Sequence, residues 1–462
     1  MLFNSFEFLL AFLPIVLAGY FAFNRLSGRW GNAWLVAASL FFYAWWRVEY
    51  LALLAVSIAS NFTVGRMLMR RAAQGMPDRA ILVGGIAFNL LLLGYFKYAN
   101  FFAENLAALA GTAAPHFDVI LPIGISFFTF TQIAFLVDAH QRKAAEPDPV
   151  NYSLFVTYFP HLLAGPILHH REMMPQFADA ANKRIDWDHV ARGLALVAIG
   201  LGKKVLIADP LAIQSNEMFA SPVPITFGDA WFGILCFTMQ IYFDFSGYTD
   251  MALGMARMMN IRLPENFDSP YRRRNLQEFW RHWHMTLTRF LRDYLYIPLG
   301  GNRLGETYTA FAIVLTFLLG GLWHGANWTF VLWGLVNGVG LVLVRLWSRA
   351  GLRLPAIVAW AITFFFVNMA WVLFRAPDLA TASSFYTALF GGRGFSAIRG
   401  SVPVYTITTL AIASAIAMLP RNSARIVNEM SFGWPVQAAT ALLLAAGILS
   451  LANPTEFLYF NF

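Results

Sequence analysis

The sequence predicts an all-α protein that crosses a membrane many times, and three observations carry that reading. Of 462 residues, 58% are hydrophobic and 13% charged, too few polar side chains to cover a water-soluble globule of this length. Apolar runs long enough to span a hydrocarbon core, about 17 to 25 residues, recur along the chain. Arginines and lysines collect in the short gaps between those runs, as in cytoplasmic loops. Residues 1–462 therefore read as one membrane-embedded domain, without internal repeat, low-complexity tract or soluble module. The formal net charge of +8 belongs to the loops. With no soluble basic domain to use it, a nucleic-acid partner is excluded, and the lipid bilayer is the partner that composition implies.

The elements follow in order. The N-terminus, MLFNSFEFLL, has neither a basic leader nor a small-residue cleavage site, so the first apolar run is expected to remain as a membrane helix. Spans are predicted near 6–23, 33–46, 50–68, 80–96 and 119–137. Arg25 and Arg29, then Arg66, Arg70, Arg71 and Arg79, then Arg142 and Lys143 mark successive cytoplasmic gaps, which puts the N-terminus on the outer face. Residues 97–118 are then external and are expected to hold a short interfacial helix. From 151 to 208 the pattern breaks: Pro160, His161, Gly165 and Pro166 interrupt an apolar run, and the run 192–202 is short and stops at Lys203 and Lys204. Broken backbone at membrane depth is tolerated only where protein or a cavity satisfies it, so this region reads as re-entrant or tilted.

Two spans follow near 226–243 and 246–262, separated by FDFSGYTD, where Asp244, Ser246, Tyr248 and Asp250 interrupt the hydrocarbon. Further spans near 308–323, 326–346, 354–374, 402–419 and 436–452 bring the total to about a dozen. The last helix, within 436–462, runs outward and delivers the aromatic tail FLYFNF to the outer surface. The single cysteine, Cys236, lies in an apolar run and excludes a disulfide framework or a Cys-rich metal site.

Chemistry concentrates between Glu278 and Gly325. Wound as a helix, residues 280–295 place Trp280, Trp283, Leu287, Phe290, Leu291 and Tyr294 on one arc and Arg281, His282, Arg289, Arg292 and Asp293 on the other. His282 falls in the basic arc, while His284 lies about 160° away at the seam, which makes it the buried candidate. His324 ends the apolar run from Ala310 to Trp323, flanked by Gly320, Gly321 and Gly325. An ionisable side chain at membrane depth is a functional candidate by default, and a neutral imidazole is suited to take a proton from a hydroxyl nucleophile. The plainer alternatives are a histidine hydrogen-bonded between helices and, for His284, an interfacial histidine. Trp283, Trp323 and Asn327 flank the pair and are expected, with Asp244, Ser246 and Tyr248, to line the substrate site.

No HExxH, P-loop, GxSxG elbow or dinucleotide fingerprint is present, and the adjacent His169 and His170 point apart on a helix, so neither a metal nor a bound cofactor is expected. Asp244 and Asp250 read either as groups facing water between spans or as a proton relay, which keeps a proton-coupled transporter as an alternative. FLYFNF reads as an aromatic belt or as a tail that folds back and presents the hydroxyl of Tyr459.

WRHWHMTLTRFLRDYLYIPLGGNR and GGLWHGANWTF, with YAWWRVEYLALL, GYFKYANFF, LPIGISFFTF, FPHLLAGPIL, YFDFSGYTDMALG and ENFDSPY in unbroken order over about residues 40–376, resemble the membrane-bound O-acyltransferases. The likeness is greatest to the bacterial branch that includes the alginate O-acetylation and teichoic-acid D-alanylation membrane proteins. The resemblance implies tilted helices ringed around a central tunnel, with the donor entering from the cytoplasm and the acceptor from the other side. It assigns His324 to the family's catalytic histidine and His284 to its paired position, and likens FLYFNF to an acyl-carrying tyrosine motif, here fused to the catalytic chain. The implied activity is transfer of a short acyl group, with acetyl-CoA as donor substrate, across the bacterial inner membrane to an extracytoplasmic polysaccharide. A periplasmic SGNH-type acyltransferase or other polysaccharide-modifying enzyme is the implied partner. A lipid or protein O-acyltransferase using long-chain acyl-CoA is the alternative within the family. The topology reading puts His284 near the cytoplasmic side and His324 toward the outer end of its span, so the two meet only if the central stretch enters the membrane.

Overall fold

The computed structural model describes residues 1–144, 148–221, 224–399, 402–451, 455, 457 and 458. Among these there are helices and turns but no strand, so the chain is an all-α polytopic membrane protein. Among the described residues, six helices are long and apolar enough to cross a membrane: Glu7–Asn24, Tyr50–Ala73, Arg79–Ala110, Glu306–His324, Trp328–Arg349 and Ala356–Arg375. Ile125–His140, Val404–Ala417 and Trp434–Leu449 are shorter apolar helices. Side-chain caps set several of the starts: Ser27, Asp78, Asp148, Asn275, Asn327 and Asp378 each accept from a backbone N–H of the first turn, satisfying donors that a helix leaves open.

Two compact units can be distinguished. The first comprises Met1–Ile199, Tyr248–Pro264 and the C-terminal stretch from Met430; the second comprises Gly200–Gly247 and Glu265–Glu429. In the first unit the expected breaks between 151 and 178 are present as short helices, Pro149–Thr157, Phe159–Leu162 and His170–Ala178. Their open backbone is satisfied internally, since Phe159 N donates to Ser39 Oγ at 3.1 Å and a His161 ring nitrogen lies 2.9 Å from the Phe155 carbonyl.

Three boundaries differ from the sequence reading. The interfacial helix expected within 97–118 is the continuation of the preceding span: Arg79–Leu93 passes through a wide π-turn, Gly94–Tyr98, into Ala99–Ala110. Lys203 and Lys204 end nothing, because Trp187–Gly202 runs through a second π-turn, Lys203–Ala208, into Asp209–Phe219. The two spans expected near 226–243 and 246–262 are one helix of 32 residues, Phe227–Met258. Asp244 and Asp250 are buried at 3% and 7% exposure and do not face water. A buried carboxylate needs a partner, and Lys204 Nζ supplies it, 2.7 Å from Asp244 and 2.9 Å from Asp209. Hydropathy registers the charge on Asp244 but not the cation that neutralises it.

Candidate active site

The site is built in the second unit on a helical hairpin, Glu306–His324 followed by Trp328–Arg349. Its arms lie in backbone contact because of two glycines. A Cβ on Gly321 would stand 2.2 Å from the Phe330 carbonyl oxygen, and one on Gly334 2.3 Å from that of Phe317; only hydrogen fits at such crossings. His324 is the last residue of the first arm, and the chain turns extended at Gly325. Its ring, 4% exposed, packs edge-on against Trp333 and Phe374, with centroids 5.2 and 5.1 Å away.

The central stretch is not the continuous helix that its periodicity predicts. Leu276–His282 stops, and Met285–Leu291 starts anew before a π-turn, Arg292–Tyr296. Between the two helices His284 adopts φ 44°, ψ 52°, the left-handed region that residues with a Cβ seldom occupy. The kink is held from Glu265–Glu429 of the same unit: Met285 N donates to the Asn266 carbonyl at 3.0 Å, and Thr286 donates to Asn266 Oδ1 from Oγ1 at 2.7 Å and from N at 3.3 Å. Because a backbone N–H can only donate, Asn266 Oδ1 is the acceptor. His284 Nδ1, 3.3 Å from the same oxygen, is therefore the protonated nitrogen, and Nε2 of the neutral ring carries the lone pair.

The break does not scramble the two faces. Trp280, Trp283, His284, Leu287 and Phe290 are buried, whereas Arg281 and Arg292 are exposed. His282 is partly exposed, its Nδ1 donating to the Glu278 carbonyl at 2.7 Å and its Nε2 lying 3.7 Å from Asp268.

His284 and His324 line one cavity of about 650 Å³. Trp323 touches both imidazoles, its ring centred 6.3 Å from His284 and 4.9 Å from His324. The expected obstacle to their meeting is thus removed. The cavity wall includes Trp280, Trp283 and Trp333, and among the described residues it carries five arginines, Arg281, Arg289, Arg292, Arg345 and Arg349, and no carboxylate. Carboxylates beside the wall restrain three of these: Glu306 bonds Arg345 at 2.9 Å and Arg349 at 2.6 Å, and Asp293 bonds Arg292 at 2.7 Å. Such a wall offers an apolar slot beside two proton acceptors and a cationic stretch for an anionic portion of a ligand.

The other candidate residues are distributed more widely. Trp283 is 1% exposed and stacks on Phe279. Asn327 caps the second arm through Thr329 N and donates to the Pro377 carbonyl at 2.7 Å. Asp244 pairs with Lys204, and Ser246 is buried close to it in sequence. Tyr248 belongs to the first unit, where it is 1% exposed, stacks on Phe3 at 4.7 Å and accepts from Ala164 N at 3.4 Å. In that unit Phe457 packs edge-on against Tyr248 at 4.9 Å, and Asn4 Nδ2 donates to the Thr455 carbonyl at 3.0 Å. Thr455 and Phe457 thus contact the first unit, and Tyr459 lies outside the described residues. Sequence reasoning missed Asn266, whose only signal was its place in ENFDSPY, and the arginines of the cavity, which read as loop charge.

Comparison with known proteins places this geometry in a family. The chain is 39% identical to the peptidoglycan O-acetyltransferase of Helicobacter pylori over its whole length and 98% of the relative. It is 43% identical to the probable alginate O-acetylase AlgI of Pseudomonas aeruginosa over 84% of this chain and 75% of that one. The teichoic acid D-alanyltransferase of Bacillus subtilis is 29% identical over 56% of this chain and 70% of its own length. The membrane-bound O-acyltransferase profile matches residues 16–378. The two histidines on one cavity, the glycine-packed hairpin and this match agree: the chain is an acyltransferase and belongs to the membrane-bound O-acyltransferase family.

Proposed function

We propose that this enzyme O-acetylates an extracytoplasmic polysaccharide from a cytoplasmic thioester donor, acetyl-CoA, in the bacterial inner membrane with both termini on the outer face. The observation that carries the reading is the shared cavity of His284 and His324 beside five arginines. Phosphates of the donor suit the arginines, and the apolar slot suits the thioester arm. The names of the full-length relatives support acetyl as the group and a polysaccharide as its destination.

In this mechanism His324 accepts the proton of the attacking hydroxyl as its oxygen bonds to the acyl carbon. The carbon–sulfur bond then breaks, and the thiolate leaves and is reprotonated. His284, its Nδ1 proton held by Asn266, orients Nε2 toward the same step. The first acceptor is the hydroxyl of Tyr459, which splits one transfer into two; a periplasmic SGNH-type enzyme then takes the acetyl group to the glycan. Trp283, Trp323 and Asn327 frame the reacting groups.

The test is transfer from labelled acetyl-CoA by purified protein, with surface glycans from a strain lacking the chain examined by mass spectrometry. His324→Ala should lower transfer by about 10² to 10⁴-fold, the usual worth of a general base, with its melting temperature in detergent kept. Retained transfer in a folded variant refutes the role.

A further inference from the structure

The first unit contains a second cavity, about 550 Å³, which shares no lining residue with the histidine cavity. Its wall carries four cations, Arg25, Arg29, Lys183 and Arg184, and one carboxylate, Asp148. That carboxylate is already engaged. Asp148 Oδ1 accepts from Val150 N at 2.7 Å and Asn151 N at 3.4 Å, and Oδ2 lies 3.7 Å from Arg29 Nε. Arg25 and Arg184 make no ion pair among the described residues.

The floor of the cavity is built rather than incidental. Asn32, 4% exposed, donates from Nδ2 to Asn151 Oδ1 at 2.9 Å and to the Phe177 carbonyl at 3.1 Å. Its Oδ1 accepts from Lys183 Nζ at 2.7 Å, which fixes the ammonium in the cavity with the Tyr20 ring centred 5.4 Å away. Burial lowers the Lys183 pKa to about 8, against the opposing pull of Asp179. The side-chain amide of Asn24, both of its polar atoms shielded from water, also lines the cavity.

Donors that converge from several elements on one concave site match a tetrahedral anion with several acceptor oxygens better than a planar carboxylate. The surroundings indicate where such an anion comes from. Leu26, Trp30 and Trp187, close in sequence to the cations, are exposed at 72%, 57% and 74%, as interfacial anchors are at headgroup level. We propose that this pocket binds a phosphate group, supplied by the headgroup of an anionic phospholipid.

Full-length protein in nanodiscs of phosphatidylcholine, with or without phosphatidylglycerol, tests the proposal by native mass spectrometry of retained lipid. Thermal stability with inorganic pyrophosphate in phosphatidylcholine discs tests the soluble source. Arg25→Gln and Arg184→Gln remove exposed cations outside the transfer machinery, so transfer activity reports that each variant is folded. Wild type should retain phosphatidylglycerol, and each substitution should weaken retention about fivefold. Stabilisation by pyrophosphate that the variants lose, without lipid retention, keeps the phosphate site and assigns it a soluble ligand. Equal retention and equal response in wild type and both folded variants overturn the proposal.

Discussion

Asn266 offers the sharpest test of how this site works, because it touches His284 and is not among the residues lining the histidine cavity. Asn266→Ala removes one acceptor from three donors, Thr286 Oγ1 at 2.7 Å, Thr286 N at 3.3 Å and His284 Nδ1 at 3.3 Å. At about 1 kcal/mol net for each bond, the loss of stability is on the order of 3 kcal/mol. The catalytic part is smaller and more specific. A bias of about 1 kcal/mol toward the Nδ1–H tautomer is worth about fivefold, and loosening of the ring adds to that. We expect kcat for acetyl transfer to fall about 5- to 30-fold with KM near wild type, since no wall residue of the cavity changes. The decisive arm is a double-mutant cycle. If Asn266 acts through His284, adding Asn266→Ala to His284→Ala should change kcat less than about twofold, whereas independent residues would show additive losses. Additive losses, or wild-type kcat in a folded Asn266→Ala protein, refute the reasoning.

The remaining predictions concern neighbouring features. His282→Ala should cost little transfer and His284→Ala should cost most of it, since only the second imidazole is buried on the cavity; equal losses in the same assay would contradict the assignment. Tyr459→Phe keeps the ring and its interfacial preference, and should leave folding intact while abolishing both delivery to the glycan and labelling of the C-terminal peptide. A fully active variant would return FLYFNF to the role of an anchor. Lys204→Met removes the cation that Asp209 and Asp244 share and should cost about 3 to 5 kcal/mol, read by chemical denaturation. Adding Asp244→Leu to it should recover part of that loss.

What the sequence disclosed was local. Spans, loop charge and the division of the central stretch into two faces all depend on neighbours a few residues apart, and Trp280, Trp283, Leu287 and Phe290 are buried as their spacing requires. What it concealed was pairing over distance. Lys204 answers Asp244 from 40 residues away, so FDFSGYTD looked like a gap when it was the middle of a helix. Asn266 reaches His284 across 18 residues, and no periodicity carries that contact. The kink at His284 was hidden for another reason: both flanking helices keep their apolar sides inward, so an averaged pattern over 280–295 reads as unbroken.

That kink has a consequence for what selection can do at position 284. Its backbone conformation favours glycine, and after glycine asparagine, so imidazole is a poor choice by conformational preference alone. A library randomised there and screened only for accumulation in the membrane would be drawn to residues that relax the turn. One screened for acetylated product would be drawn back to histidine, at lower stability. The residue is thus held by competing demands, the common cost of placing chemistry on a strained turn. Glycine variants that gain stability and lose transfer together would show the two demands separating at one side chain.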